Sequence, residues 1–318
     1  MGKRVGLYTY LASATRAIPL AQRLQTGTIQ SMSQSDDATK GVRISRTTDE
    51  GNVVTDDVLA VEEPLEIRLA YRGDYGVPLS RGISITMRTP GDDEALAAGF
   101  LATEGLVQSP GDLEDITVDV AEDTSGLGLS PNLVRIALKE GVEANIEQLS
   151  RHVFTSSSCG VCGKATLDAL VSRGLTPIKV DGFSINSDTL RRLPQKLLER
   201  QQTFAETGGL HATALVDSKG EIIDLSEDVG RHNAMDKLLG RGFLAGDWPL
   251  AHCLVLVSGR ASFELVQKAL VAGLPMLASV GAPSSLAVEL ADSFGMTLVG
   301  FLSSKRFNVY CNLGRLTD

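Results

Sequence analysis

Late in this 318-residue chain, three short runs are almost free of polar side chains: residues 253–257, 276–280 and 297–302. A strand that is apolar at every position has no face to give to water, so it belongs inside a sheet covered on both sides. Helical patterns separate the runs. Phe263, Leu265, Val266, Ala269 and Leu270 form one apolar stripe, and Pro283, Ser284 and Ser285 open a second helix through Leu290. Strand, helix, strand, helix, strand predicts a three-layer α/β unit with a partly parallel sheet. Upstream, residues 212–216 and 221–225 flank the turn Asp217-Ser218-Lys219-Gly220 as a hairpin. Before them, Asn186, Ser187 and Asp188 cap a helix striped by Leu190, Leu193, Leu197 and Leu198, and Pro194 reads as its true first turn.

The first half has a different rhythm. Residues 42–48, 65–71 and 83–89 alternate apolar and polar, as half-buried strands do, with the last two joined antiparallel through a glycine-containing loop. Residues 53–62 read as a linker with a short apolar centre. Thr89, Pro90, Gly91, Asp92, Asp93 and Glu94 start a helix with acids in its first turn, and Leu96, Ala97, Phe100 and Leu101 give it one apolar face. Residues 116–120 and 134–138 add two strands. The expected class is α/β (α+β overall). Residues 1–41 form a disordered extension, 42–150 a small β-rich domain, and 151–318 a larger three-layer α/β domain.

The chain's most reactive stretch is Ser156-Ser157-Ser158-Cys159-Gly160-Val161-Cys162-Gly163-Lys164-Ala165. Serines ahead of a helical pattern supply cap chemistry. A thiol at a helix N-terminus, with Lys164 nearby, is expected to ionise readily. Cys159 and Cys162 therefore read as an exposed, activated pair on a glycine-rich loop. Four uses fit a CxxC: a redox dithiol, a zinc site, a deaminase-type zinc centre or a sulfur carrier. Zinc wants about four ligands, yet Cys253 and Cys311 are solitary and only four histidines exist. A deaminase centre needs H-x-E ahead of its cysteines. Here His211 follows them, and Thr213 stands where the glutamate would be. Carrier and redox uses stay open on the local residues.

Three further constellations are candidate binding segments. Glu227, Asp228, Val229, Gly230, Arg231, His232 and Asn233 form either a solvated turn, with Glu227 or Asp228 pairing Arg231, or a ligand-facing loop. In the second case Arg231 holds phosphate and His232 moves a proton. Ser258, Gly259 and Arg260 lie between a buried strand and a helix, where backbone N–H groups attract anions; the run is not a Walker A loop. Glu264 and Lys268 read as an i,i+4 surface pair. Phe301, Leu302, Ser303, Ser304, Lys305 and Arg306 leave the last buried strand at its carboxyl end, where α/β sheets bind ligands. His211 is a site residue or a core histidine, and His252 with Cys253 read as core or strand-edge residues.

Composition sets outer limits. A hydrophobic content of 43% and a charged content of 22% suit a globular protein with ample core. A net charge of −9 argues against general nucleic-acid binding. No apolar run approaches the roughly 18 residues of a membrane span. The scattered cysteines read as reduced thiols, and hence as those of a cytoplasmic protein.

Taken in order, these pieces resemble the formate dehydrogenase accessory sulfurtransferases, the FdhD family. The resemblance rests on residues 63–68, 96–105, 159–163, 207–212, 227–237, 258–262 and 282–287. It runs from about residue 42 to the end, and its most specific element is the EDVGRHNA run with CGVCG upstream. It implies a sulfur carrier that takes persulfide sulfur from a cysteine desulfurase. The sulfur goes to the molybdenum bis(molybdopterin guanine dinucleotide) cofactor, bound as a client, and formate dehydrogenase depends on the delivery. It also implies a homodimer, a cytidine-deaminase-like fold without zinc, and no tightly held metal. By position, Cys159 matches the persulfide-carrying cysteine and Cys162 the second loop cysteine. Residues 301–306 match the cofactor-binding stretch, with Ser303 standing where relatives often have arginine. Arg231, His232, His211, Ser258, Gly259 and Arg260 are expected to complete that pocket. A dithiol oxidoreductase and a cofactor-binding chaperone are the competing classes.

Overall fold

A computed structural model of the chain describes residues 38–73, 76–120, 132–142, 175–178 and 182–318. The expected N-terminal extension lies almost wholly outside these residues, and the CxxC loop with the helix after it lies wholly outside them.

The apolar runs become adjacent parallel strands: β10 (Leu254–Val257), β11 (Met276–Ser279) and β12 (Thr297–Gly300). Three antiparallel partners complete a six-stranded sheet: β8 (His211–Val216) and β9 (Ile222–Asp228) on one side and β13 (Asn308–Cys311) on the other. The order is β13-β12-β11-β10-β8-β9. Alternation explains the unbroken apolar runs. Val255, Val257 and Leu277 enter one core and Leu254, Leu256 and Ala278 the other. The first core is shared with Met235, Leu238 and Leu239 of α4 (Arg231–Leu244), Leu265 and Val266 of α5 (Phe263–Val271) and Leu290 of α6 (Ser285–Ser293). The second is closed by Ile185 of the short strand β7 (Ile185–Asn186) and by Leu190, Leu193 and Leu197 of α2 (Ser187–Arg200). Helices thus cover both faces.

Helix α2 corrects one expectation. Asn186 caps it, its side chain accepting from Asp188 N (2.9 Å) and Thr189 N (3.2 Å). The helix therefore starts seven residues before Pro194, which sits inside it. The cap satisfies the first free N–H groups, and that decides the start. Residues 53–62 correct another. They belong mostly to β2 (Gly51–Ala60), which pairs with β1 (Thr39–Thr48) along its whole length. Valines that stay exposed, Val53 and Val54 among them, formed a strand on β propensity and hairpin register without a core to pattern them.

The smaller sheet runs β4-β3-β6-β5, with β3 (Glu63–Arg72), β4 (Pro78–Arg88), β5 (Leu113–Val120) and β6 (Asn132–Leu138). Strands β3 and β4 form the expected antiparallel pair, while β6 joins β3 in parallel. Helix α1 (Asp93–Thr103) packs Leu96 and Leu101 onto Leu65, Ile67, Val134 and Ile136. Arg88, buried at the end of β4, grips Asp93 with two 2.8 Å bonds and so fixes where α1 begins.

Helix α1 also meets α4, and there the backbones touch. A Cβ on Gly240 would stand 1.8 Å from Ala95 O, and one on Gly99 would stand 2.0 Å from Asp236 O. Around this crossing lie buried ion pairs. Lys268 Nζ of α5 reaches Asp236 (2.9 Å) and Glu104 (3.6 Å), and Arg241 bridges Asp92 (2.6 Å) and Asp224 (2.9 Å). Lys268 is thus not a surface partner of Glu264. It is only 4% exposed, and Thr103 at the end of α1, Glu104 just after it and Asp236 of α4 hold it in place of its i−4 neighbour. Among the described residues no helix is long and apolar enough to cross a membrane.

Gly240→Ala should destabilise the protein by roughly 3 kcal/mol or more, because the new methyl meets backbone. Gly41→Ala, with nothing within 4 Å, should change stability by less than about 0.5 kcal/mol. Urea unfolding of both variants checks this.

Candidate functional site

The parallel strands β10, β11 and β12 end on one edge of the large sheet, and the antiparallel partner β8 begins there at His211. The turns after the three parallel strands are zipped together. Gly281 N donates to Gly259 O (3.0 Å), Phe301 N donates to Gly281 O (2.9 Å), and the single proton of Ser279 Oγ is shared between the two glycine carbonyls, each 2.9 Å away. A Cβ on Gly281 would lie 2.9 Å from Gly259 O and 3.0 Å from the Arg260 backbone, so only glycine lets these turns close. The result is a continuous backbone floor built from residues 258–261, 279–283 and 300–302.

Helices α4, α5 and α6 all start at this edge, so three positive helix ends point toward it. Ser258 Oγ accepts from Ala212 N (2.9 Å), which ties the floor to β8. His211 pairs across the ladder with Asp228, and its Nδ1 would lie 3.3 Å from a Cβ on Gly259. The Arg231 side chain approaches the same glycine, its Cδ 4.0 Å from that point. Its buried Nε has no hydrogen-bond partner. A guanidinium so placed keeps part of its donor fork free for an anion.

His232 faces the start of α5. Its Nε2 is 3.3 Å from Ser262 Oγ and 3.8 Å from Glu264 Oε2. The His232 imidazole beside it pulls the Glu264 carboxyl down to about 2. His211 moves the other way for a histidine. Burial lowers its pKa, and the Arg231 charge and then His232 lower it further. The edge thus holds one histidine kept neutral and another beside a carboxylate.

Beyond the floor, Phe301 has φ of 53° and is 43% exposed. A bulky residue in this left-handed region is uncommon. Its N–H bond to Gly281 holds the strained turn while the ring stays in solvent. Ser303 and Arg306 then close a tight turn, with Ser303 N donating to Arg306 O (2.9 Å) and Arg306 N to Ser303 Oγ (3.2 Å). Ser304, Lys305 and Arg306 are exposed on it, as is Arg260 on the neighbouring turn.

The structure therefore brings His211, Arg231, His232, Ser258, Gly259, Arg260 and the 301–306 turn to one edge. Leu302 differs from the rest, since its side chain is buried in the core and its N–H bonds Ser279 O (3.0 Å). Cys159 and Cys162 lie outside the described residues. Cys253 is fully buried, and burial pushes its thiol up to about 12, which makes it a core residue; His252 is exposed. The Glu227–Asn233 run spans the end of β9 and the first turn of α4. Neither acid pairs with Arg231. Asp228 meets Lys237 (2.8 Å), and Glu227 accepts from Thr203 N and Phe204 N to cap the short helix α3 (Gln202–Thr207). Glu264, unnoticed as a site residue in the sequence, sits two residues beyond Ser262. Only its pairing with His232 reveals it. Among the described residues no group of three or more His, Cys, Asp or Glu side chains is arranged to hold a metal ion.

A family profile described as FdhD/NarQ matches residues 60–317. The chain belongs to the FdhD/NarQ family. It is 49% identical to the sulfur carrier protein FdhD of Streptomyces coelicolor, over 82% of this chain and 89% of that one. It is 46% identical to the FdhD of Mycobacterium tuberculosis, covering 82% and 92% of the two chains. To the FdhD of the archaeon Sulfurisphaera tokodaii it is 38% identical, covering 87% and 98%. A crystal structure described as a candidate formate dehydrogenase accessory protein from Desulfotalea psychrophila superposes with a TM-score of 0.65. It covers 88% of this chain and all of that one at 23% identity, a likeness of fold. The FdhD/NarQ match takes in every segment that builds the edge.

The depressed pKa of His211 fixes a sign. Below about pH 6.5 an unfolded histidine gains a proton that the folded His211 resists. Stability is thus lost as pH falls from about 7 toward 5. Urea titrations across that range should show a shallower decline for His211→Asn than for the wild type. Parallel curves would contradict the depressed pKa.

Proposed function

We propose that this chain is a sulfur carrier in formate dehydrogenase maturation. The relatives' shared name and the family membership support sulfur carriage. The sulfur enters at the CxxC loop. The Cys159 thiolate attacks the terminal sulfur of a cysteine desulfurase persulfide, an S–S bond forms on Cys159, and the desulfurase cysteine leaves as its thiolate. No electrons are gained or lost overall, so no outside oxidant is needed. Cys162 assists or resolves the Cys159 persulfide.

The recipient is the molybdenum cofactor bearing two guanine-dinucleotide pterins, handled as substrate. The observation that carries this reading is the unpartnered Nε of Arg231 at an edge where three helices begin. Phosphate suits such a place. The residues fit a dinucleotide. Arg231, Arg260, Lys305 and Arg306 offer cations, Ser258 and Ser304 hydroxyls, Gly259 a close backbone, and Phe301 an exposed ring for a base. His211, kept neutral, can accept or donate a hydrogen bond without adding charge. The proposal includes a cytidine-deaminase-like fold for the larger sheet, without its zinc. A sheet covered on both faces agrees with it, and Thr213 in place of the general-acid glutamate removes the zinc chemistry.

Intact-mass spectrometry after incubation with a cysteine desulfurase and cysteine tests the carrier step. Wild type should gain about 32 Da per sulfur, reversibly on reduction, and Cys159→Ala should not. A loss of about 2 Da instead, from a Cys159–Cys162 disulfide, would establish a dithiol oxidoreductase. Normal maturation of formate dehydrogenase by Cys159→Ala would make the protein a cofactor chaperone.

A further inference from the structure

The placement of Arg231 and His232 is not explained by their own contacts. They stand in the first turn of α4, which has no side-chain cap on Gly230. What fixes that turn is the residue before it. Asp228 is 0% exposed at the end of β9. Its Oδ1 accepts from Gly230 N (2.8 Å) and Asn233 Nδ2 (3.1 Å), and its Oδ2 accepts from Thr89 N (3.1 Å) and meets Lys237 Nζ (2.8 Å). The carboxylate thus bonds both sides of Arg231 and His232.

The other half of this network comes from the small sheet. Asn233 Nδ2 also donates to Met87 O (2.7 Å), and Thr86 Oγ1 donates to Asn233 Oδ1 (3.0 Å). Lys237 Nζ donates to Thr89 O (2.7 Å), and Val229 N donates to Thr89 Oγ1 (3.2 Å). Every bond joins the last residues of β4, or the residue after it, to the segment 228–237.

We infer that Asp228 is a positioning residue for Arg231 and His232, and that it acts by clamping the start of α4 to the end of β4. The assignment rests on the reading of that edge as the ligand site. It goes beyond that reading by giving the small sheet a part in the site, though none of its side chains is needed at the ligand. The physical reason is the short range of hydrogen bonds. A carboxylate shared among four donors in a dry pocket has one low-energy position, and residues two and three places away follow it.

The test uses the full chain and three readouts: melting temperature, affinity for guanosine diphosphate by calorimetry, and the imidazole signals of the histidines by proton–nitrogen correlation NMR. Asp228→Asn leaves Lys237 buried without its charge partner and should melt early. Asp228→Asn with Lys237→Met removes both charges and should recover much of the melting temperature. In that double variant His232 signals should stay displaced and nucleotide affinity should stay at least about tenfold weaker. Exposed His252, at the other end of β10, should not move. Wild-type His232 signals and affinity in the double variant would overturn the inference.

Should the double variant not fold, Thr86 decides. Thr86→Val removes one bond to Asn233 and no charge, and it should displace the His232 signals; Thr86→Ser should restore them. Unmoved His232 signals in Thr86→Val would overturn the inference. Wild type that ignores the nucleotide would count against the ligand reading, while the His232 signals still decide the positioning.

Discussion

Everything at the candidate site depends on how closely α1 and α4 approach. Gly99 and Gly240 let two helix backbones touch, and no other residue type would fit either place. That contact brings the end of β4 against the end of β9. It also sets Lys268, Asp236, Glu104 and Arg241 into a buried charged layer that tolerates little displacement. Buried ion pairs of this kind add little net stability and penalise misalignment heavily. Their effect here is to give the crossing one register, and α4 then starts where the parallel strands end.

The chemistry of the edge follows from that start. Three helix ends, a backbone floor and a cluster of cations make it attractive to phosphate in a chain whose net charge is −9. The acids nearby are mostly occupied. Asp228 is spent on Lys237 and the Gly230 turn, Glu227 on α3, and Glu264 on His232. An anionic ligand bound there as proposed would meet Arg231, Arg260 and the 301–306 turn with Asp228, Glu227 and Glu264 already engaged elsewhere.

The sequence shows some of this directly, and the reasons are local. Apolar runs of four to six residues, bounded by turn residues and separated by helical stripes, read as buried strands, so β10, β11 and β12 were legible. Asn186 and Ser284 announce helix starts through side chains that bond their own backbone. The glycine motifs marked segments that converge at the edge because turns packed backbone to backbone leave no room for a Cβ. Partners distant in the chain were not legible. Lys268 has a suitable i−4 neighbour in Glu264, yet residues from α1 and α4 claim it. Asp228 reads as one acid of a solvated turn or a ligand-facing loop, and only the folded β4 shows that it bonds Thr89, Gly230, Asn233 and Lys237 instead. Val53 and Val54 look like linker because no periodic burial marks them.

The central claim is that segments far apart in sequence form one phosphate-binding edge. Hydrogen–deuterium exchange of the full chain with and without guanosine diphosphate tests it most directly. Slowed exchange confined to residues 229–233, 258–262 and 301–306 is the predicted result. Nucleotide binding that leaves all three segments unchanged, or protects the β1–β2 hairpin instead, would contradict it.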